Sequence, residues 1–184
     1  MDTGLVNTFL LLVLLPAWLV AGLIDWWCHR ISRIEDTVGP KESILHLVLS
    51  AQAAVAIVPA LFLEINAAII ALMIVMFVAH ELSTNLDVHM AVPARAFTTL
   101  EVRTHNFLTA IPLAGLLLVM ATHTDQSAAL FGLGDSSADF SLRWKDPALP
   151  AGYVIAWFGA SFLFNIAPFT EELLRSLRRA RERG

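Results

Sequence analysis

Five apolar runs decide what this chain can fold into: Leu5 to Leu23, Ile44 to Leu63, Ala67 to Val78, Phe107 to Ala121 and Ala151 to Ala167. A helix that crosses a hydrocarbon core needs about 17 to 25 mostly apolar residues. The third and fourth runs are short. The third helix must therefore continue through His80 and Glu81 toward Met90, and the fourth must begin near Thr98, so polar residues lengthen both. The sequence predicts an all-α integral membrane protein of one domain, with spans near residues 5–29, 42–63, 67–90, 98–121 and 151–169. An outer loop is expected at 122–150 and a basic amphipathic tail at 170–184. Helices one to four are expected to form an antiparallel bundle around a polar metal site at its cytoplasmic end.

Composition closes the competing classes. With 57% hydrophobic and 15% charged residues, the chain is too apolar for a water-soluble domain or for disorder, and its single cysteine, Cys28, cannot form an internal disulfide. A net charge of -4 and the lack of a Gly-rich phosphate loop give no reason to expect a nucleic-acid partner. The first run is expected to be retained rather than cleaved, because the residues before it carry Asp2 and no base.

Charge asymmetry orients the spans. Arg30, Arg33, Lys41, Arg95, Arg103, Arg175, Arg178, Arg179, Arg181 and Arg183 fall on one side and only Arg143 and Lys145 on the other. By the positive-inside rule the N-terminus is expected outside or in the periplasm and the C-terminus in the cytoplasm, with a bacterial inner membrane as the expected location. The tail, with Thr170 as N-cap and Leu173, Leu174 and Leu177 on one stripe among arginines, is expected to lie along anionic headgroups of the inner leaflet.

The ionisable residues then collect at that inner side. His29 ends helix one, His46 starts helix two, His80 and His89 occupy the end of helix three, and His105 begins helix four; only His123 lies opposite. Asp25 precedes His29 by four residues, as Glu42 precedes His46 and Glu101 precedes His105. Four residues is about one helical turn, so each pair projects from one face. On helix three, Glu81, Asn85 and His89 repeat at the same interval, while His80 and Asp87 share a neighbouring face, and one helix cannot aim both faces at a single centre. Each carboxylate also has an ordinary local role. Glu42 follows Pro40 at a helix start, Glu101 completes a capping box with Thr98, and Asp25 can pair with Arg30 or Arg33.

Taken as a set, carboxylates and imidazoles in a bundle core suit two divalent cations, since carboxylates bridge and neutralise while neutral imidazoles complete the coordination. The candidate ligands are Asp25, His29, Glu42, His46, His89, Glu101 and His105, with His80 and Glu81 next and also candidates for catalytic roles. Soluble di-iron bundles use a Glu-x-x-His spacing of three, so the interval of four seen here is a chemical analogy only. In setting metal ligands at the cytoplasmic ends of membrane helices the layout resembles membrane di-metal hydroxylases and desaturases, although their adjacent-histidine boxes are absent.

These residues point to a membrane-embedded dinuclear metalloenzyme, with iron as the first metal and hydroxylation or desaturation of a lipid or other apolar substrate as the chemistry, using dioxygen and an electron donor. Trp26, Trp27, Phe97 and Phe107 are candidate walls for a substrate entering from the inner leaflet. A zinc-dependent lipid hydrolase with Glu81 as base is the alternative. A haem b carrier ligated by His46 and His105 would leave the paired carboxylates unexplained. A divalent-metal transporter or sensor would need polar groups continuing across the membrane, which helices two and four do not supply.

Overall fold

In the computed structural model, which describes Asp2 to Arg183, the chain is all-α, with five helices long and apolar enough to cross a membrane. Helix α1 covers Thr3–Ser32, α2 Pro40–Phe62, α3 Ala67–Ala91, α4 Thr99–Thr122 and α6 Ala151–Arg183. A short helix, α5, spans Thr124–Leu130. Helix α1 starts where the Asp2 carboxylate caps the Gly4 and Leu5 N–H groups, and ends where Arg33 turns left-handed at φ 53°. Gly39, at φ 71° and ψ -137°, lets the chain turn into Pro40, whose missing N–H costs nothing at the first helical position. The Asn66 side chain caps α3 by accepting from the Ala68 and Ile69 N–H groups. The capping box expected at Thr98 and Glu101 is formed at the start of α4.

Helices α2 and α3 form the tightest pair, closed by the short connection at residues 63–66, and α1 packs on α4. The second half of α6 lies against α2 and against the turn Ile34–Asp36. One end of the bundle carries the connections at residues 33–39 and 92–98, and is called the site end below; the other is the hairpin end. Residues 122–150 are tied down over the hairpin end. Leu63 bridges to Trp144, the Asn66 amide donates to the Ser141 carbonyl, and the Lys145 ammonium donates to the Ala60 carbonyl.

The pattern of burial is the reverse of a water-soluble core. Among the largest fully buried side chains of the described residues, His29, Glu42, Glu101, Glu172, Ser43 and Ser176 are polar and only Ile34, Ile69 and Ile70 are apolar. Leu12, Val20, Val55, Val75, Leu117, Ile155 and Leu163 are exposed instead. Apolar surface on this scale marks a partner solvent that is itself apolar.

The last helix differs most from the sequence reading. The tail is not a separate segment but continues α6 without a break, and it docks onto the bundle through ion pairs. Arg175 pairs with Glu35, Arg179 and Arg183 meet Asp36 at 2.7 and 2.6 Å, and Arg30 meets Glu171 at 2.6 Å. The stripe that faces inward is Asn165, Phe169, Glu172 and Ser176, not Leu173, Leu174 and Leu177. A π-helical turn at Phe162–Ile166 sets the register. It brings Asn165 against Gly22, where an added Cβ would lie 2.8 Å from Asn165 Nδ2, and lets Asn165 Oδ1 accept from Ser50 at 2.6 Å.

Candidate metal centre

Glycine and small residues allow close approach at Gly22 and Ser50, and one to two turns further toward the site end the same faces carry ionisable groups. Helix α1 supplies Asp25 and His29, α2 Glu42 and His46, α3 Asp87, α4 Glu101 and His105, α6 Glu172, and the α3–α4 connection Arg95. Asp25, His29, Glu42, His46, Asp87, Glu101 and Glu172 are all at most 3% exposed.

Glu172 organises the centre. Its two carboxylate oxygens meet His29 Nδ1 at 3.1 Å and His46 Nδ1 at 2.7 Å. The two imidazoles are stacked, with centroids 4.4 Å apart and planes within 9°. With each Nδ1–H donated to Glu172, each neutral ring keeps its lone pair on Nε2, the tautomer that a carboxylate behind a metal-bound histidine enforces. Both Nε2 atoms are buried and make no hydrogen bond, and the same holds for Asp25 Oδ1, Glu42 Oε2 and Asp87 Oδ1.

These lone atoms converge. His29 Nε2 lies 3.7 Å from Asp25 Oδ2 and 3.6 Å from Glu101 Oε1; His46 Nε2 lies 3.4 Å from Asp87 Oδ1; His105 Nε2 lies 3.0 Å from Asp25 Oδ1. Two donors each about 2.1 Å from a shared cation, at tetrahedral to octahedral angles, sit about 3.0 to 3.4 Å from one another. The observed separations match the edges of such a polyhedron, or exceed them slightly, and most are long for direct hydrogen bonds. Two triads have ligand atoms within 4.8 Å of one another and can hold a metal ion: Asp25, His29 and His105, and His29, Glu42 and His46.

Arg95 is the fixed cation of the site. Its Nη2 atom meets Glu42 at 2.8 Å and Glu101 at 2.5 Å, and its guanidinium lies over the Phe97 ring. Burial works against its charge, but the hydrogen bonds and charges of Glu101 and Glu42 more than offset this and hold it well above the ordinary arginine value. Phe97 in turn packs edge-on against His105, closing the centre from the loop side.

Of the sequence candidates, Asp25, His29, Glu42, His46, Glu101 and His105 are brought together, and three are not. His89 is exposed, with its ring on the Asn85 carbonyl at 2.9 Å, because two residues from Asp87 a helical side chain points about 200° away. His80 shares the face of Asp87 but lies two turns, about 10 Å, toward the hairpin end, edge-on to Trp18. Glu81 is half-buried on another face of α3. Helix α3 contributes Asp87 instead. Glu172 was masked by its place in an arginine-rich segment, although the run 165, 169, 172, 176 carries an inward stripe spaced by four, three and four. In the sequence Arg95 is one base among the ten on its side, with no spacing to a carboxylate that marks it. Trp27 and Phe107 face outward, so they do not wall the centre.

Comparison with known proteins finds no matching family model, no matching curated protein and no matching solved structure.

Proposed function

We propose that the chain is a membrane-embedded metalloenzyme whose centre holds two divalent cations, iron foremost, and that it oxidises a lipid or another apolar substrate. The observation that carries this reading is the Glu172 clamp, which leaves two parallel imidazoles each with a free Nε2. Lone pairs lie in the ring planes, so two parallel rings 4.4 Å apart aim side by side, a poorer fit to the single ion that His29, Glu42 and His46 could share than to two adjacent ones. They suit two ions, and catalytic metal pairs sit about 3.5 to 4 Å apart. His29, with Nδ1 committed to Glu172, has one nitrogen to give. It serves one ion together with Asp25, His105 and Glu101, while His46, Asp87 and Glu42 serve the other.

Charge supports the same count. Asp25, Glu42, Asp87, Glu101 and Glu172 face a single guanidinium, Arg95, which leaves four negative charges when the imidazoles are neutral. Two divalent cations carry the opposite charge, whereas each buried carboxylate left without a partner costs several kcal/mol. The N-termini of α2 and α4 point their positive dipole ends at Glu42 and Glu101 from the site end.

A reduced iron pair in such a ligand set supplies dioxygen activation and removal of hydrogen from an alkyl carbon, with an electron donor completing the cycle. The chain's part is to fix the tautomers through Glu172, to tie Glu42 and Glu101 together through Arg95, and to exclude bulk water with Phe97 and Phe169. By the base asymmetry of the sequence, the site end faces the cytoplasm.

The test is metal analysis of detergent-purified full-length protein with a visible spectrum. About two irons per chain without a haem Soret band supports the reading, and zinc in that ratio turns it toward hydrolysis. His46→Ala and His105→Ala should each lower the metal content. Unchanged stoichiometry in both variants would reject the centre.

A further inference from the structure

A cavity of about 640 Å³ lies among α1 to α4 between the centre and the hairpin end, and the segment after α5 lies across its rim. Its wall is apolar, formed by residues such as Leu11, Leu14, Ala56, Met73, Met76 and Leu116. From Ala60 at the rim to Gln52 at the floor, α2 descends about 12 Å. At about 30 Å³ for each small group, the volume a water takes in the liquid, the cavity accommodates roughly twenty non-hydrogen atoms. At the floor Gln52 Nε2 is committed to Ser83 Oγ at 2.9 Å, and Gln52 Oε1 and His80 Nδ1 are buried away from the lumen, so none of the three meets a ligand.

The rim is different, because Lys145 lines it. The Lys145 ammonium donates to the Ala60 carbonyl at 2.8 Å, which pins it at the top of the α2 wall and leaves two of its three N–H donors. Among the described residues no carboxylate pairs with it. Glu64, at the same rim, is committed to Arg143 at 2.7 Å, and Asp146 is exposed to water. Lys145 itself is half-buried, and burial with no offsetting charge holds its pKa below the ordinary lysine value. A cation drawn part-way out of water without a counter-charge is destabilised, and an anion beside it offsets that cost.

We propose that the chamber binds one long-chain fatty acid, with its carboxylate on the Lys145 ammonium and its hydrocarbon chain directed down the α1–α4 wall toward Trp18. One ammonium matches the single charge of a carboxylate. A phosphate monoester carries nearly two, and the other base of this segment, Arg143, is taken by Glu64 and Asp139. Roughly twenty non-hydrogen atoms make one acyl chain with its carboxylate, not a two-chain phospholipid. The inference does not depend on the metal reading, because no residue lining the chamber belongs to the metal centre.

The experiment uses the full chain in nanodiscs and a fatty acid brominated near its methyl end, with its methyl ester and the isomer brominated beside the carboxylate as comparisons. Bromine next to Trp18 quenches its fluorescence, and Trp18→Phe identifies that share of the signal. The acid should quench Trp18 at membrane concentrations at least tenfold below the ester, and more strongly than its isomer. Lys145→Met should remove the advantage of acid over ester and Lys145→Arg should keep it. Ala56→Phe, which fills the chamber and leaves Lys145 in place, should remove quenching by the acid at an unchanged thermal midpoint. Equal quenching by acid and ester, an advantage that survives Lys145→Met, or stronger quenching from the bromine beside the carboxylate would overturn the proposal. A bromoalkyl phosphate that quenches at lower concentrations than the acid would overturn the choice of a carboxylate.

Discussion

Glu171 and Glu172 are neighbours of identical chemistry with opposite expected weight, and Glu172→Gln is the sharpest probe of the centre. The glutamine keeps the shape but offers one carbonyl oxygen where the carboxylate offered two. One imidazole, held at 2.7 or 3.1 Å, keeps its Nδ1–H donor bond, and the other now faces an NH₂ group. To avoid donor against donor, that ring must carry its proton on Nε2, which removes the lone pair a cation needs. Loss of a carboxylate behind a metal-bound histidine lowers affinity about 10- to 100-fold, or about 1.4 to 2.7 kcal/mol. The expected outcome is one tightly held metal per chain and a second that a chelator removes at 10- to 100-fold lower concentration than in the wild type. Glu171→Gln weakens half-exposed pairs with Arg30 and Arg175 and leaves a carbonyl oxygen that can still accept from Trp26; such pairs contribute about 0 to 1 kcal/mol each and none touches the centre, so it should retain both metals. Chelator titration with elemental analysis reads this directly. If the two variants lose metal alike, or if neither does, the tautomer argument is wrong.

Three other perturbations separate further parts of the structure. Asp87→Asn should reduce bound metal toward one per chain, whereas His89→Ala, at an exposed ring bonded to its own helix, should leave the metal content unchanged by elemental analysis. Gly22→Ala places a Cβ 2.8 Å from Asn165 Nδ2, whose side chain is held by Ser50; overpacking of this kind costs about 1 to 3 kcal/mol and should lower the thermal midpoint, while Gly152→Ala, with nothing within 4 Å, should not. The hydrogen bond from Arg179, more than any other effect, holds the Asp36 carboxyl below its ordinary value. A carboxylate depressed by folding contributes fully above its unfolded pKa and loses that contribution as the pH falls through the folded one. Docking of the end of α6 should therefore loosen below about pH 4, seen as faster proteolysis after Arg178, and Asp36→Asn should show the loosened state at neutral pH.

Much of this fold was legible because lipid imposes a simple rule. Runs that cannot be solvated must be helices, and the run lengths already required α3 to pass through His80 and α4 to begin at Thr98. The three pairs spaced by four were legible for the same reason, since on a helix that spacing means one face. The phase of α3 was not legible. His80, Glu81, Asp87 and His89 offer competing faces, and packing alone decided for Asp87. Glu172 was hidden for a different reason. Its segment is rich in arginines that suggest a surface, yet Arg175, Arg179 and Arg183 spend their charges on Glu35 and Asp36 and so dock the helix rather than free it. The π turn before it shifts the register in a way no hydropathy pattern records.

The carboxylates at the helix starts also show that a local role and a site role need not compete. Glu101 keeps its place in the capping box, with Oε2 3.4 Å from the Thr98 N–H, and turns Oε1 to Arg95 at 2.5 Å and toward His29 Nε2 at 3.6 Å. The cap fixes one oxygen and thereby aims the other. Glu42, in the first turn after Pro40, is held by the same arginine. Arg95 thus links the starts of α2 and α4 while occupying one edge of the anionic cluster, a position where a point charge on a flexible stem would not serve. A guanidinium is planar and keeps its charge on burial, so it holds two carboxylates in a fixed geometry, whereas an ammonium shifts its pKa readily and rotates. Arg95→Lys should therefore lower the metal content read by elemental analysis despite conserving charge, because the arrangement of Glu42 and Glu101 around the proposed metal pair, not their charge alone, is what the substitution would change.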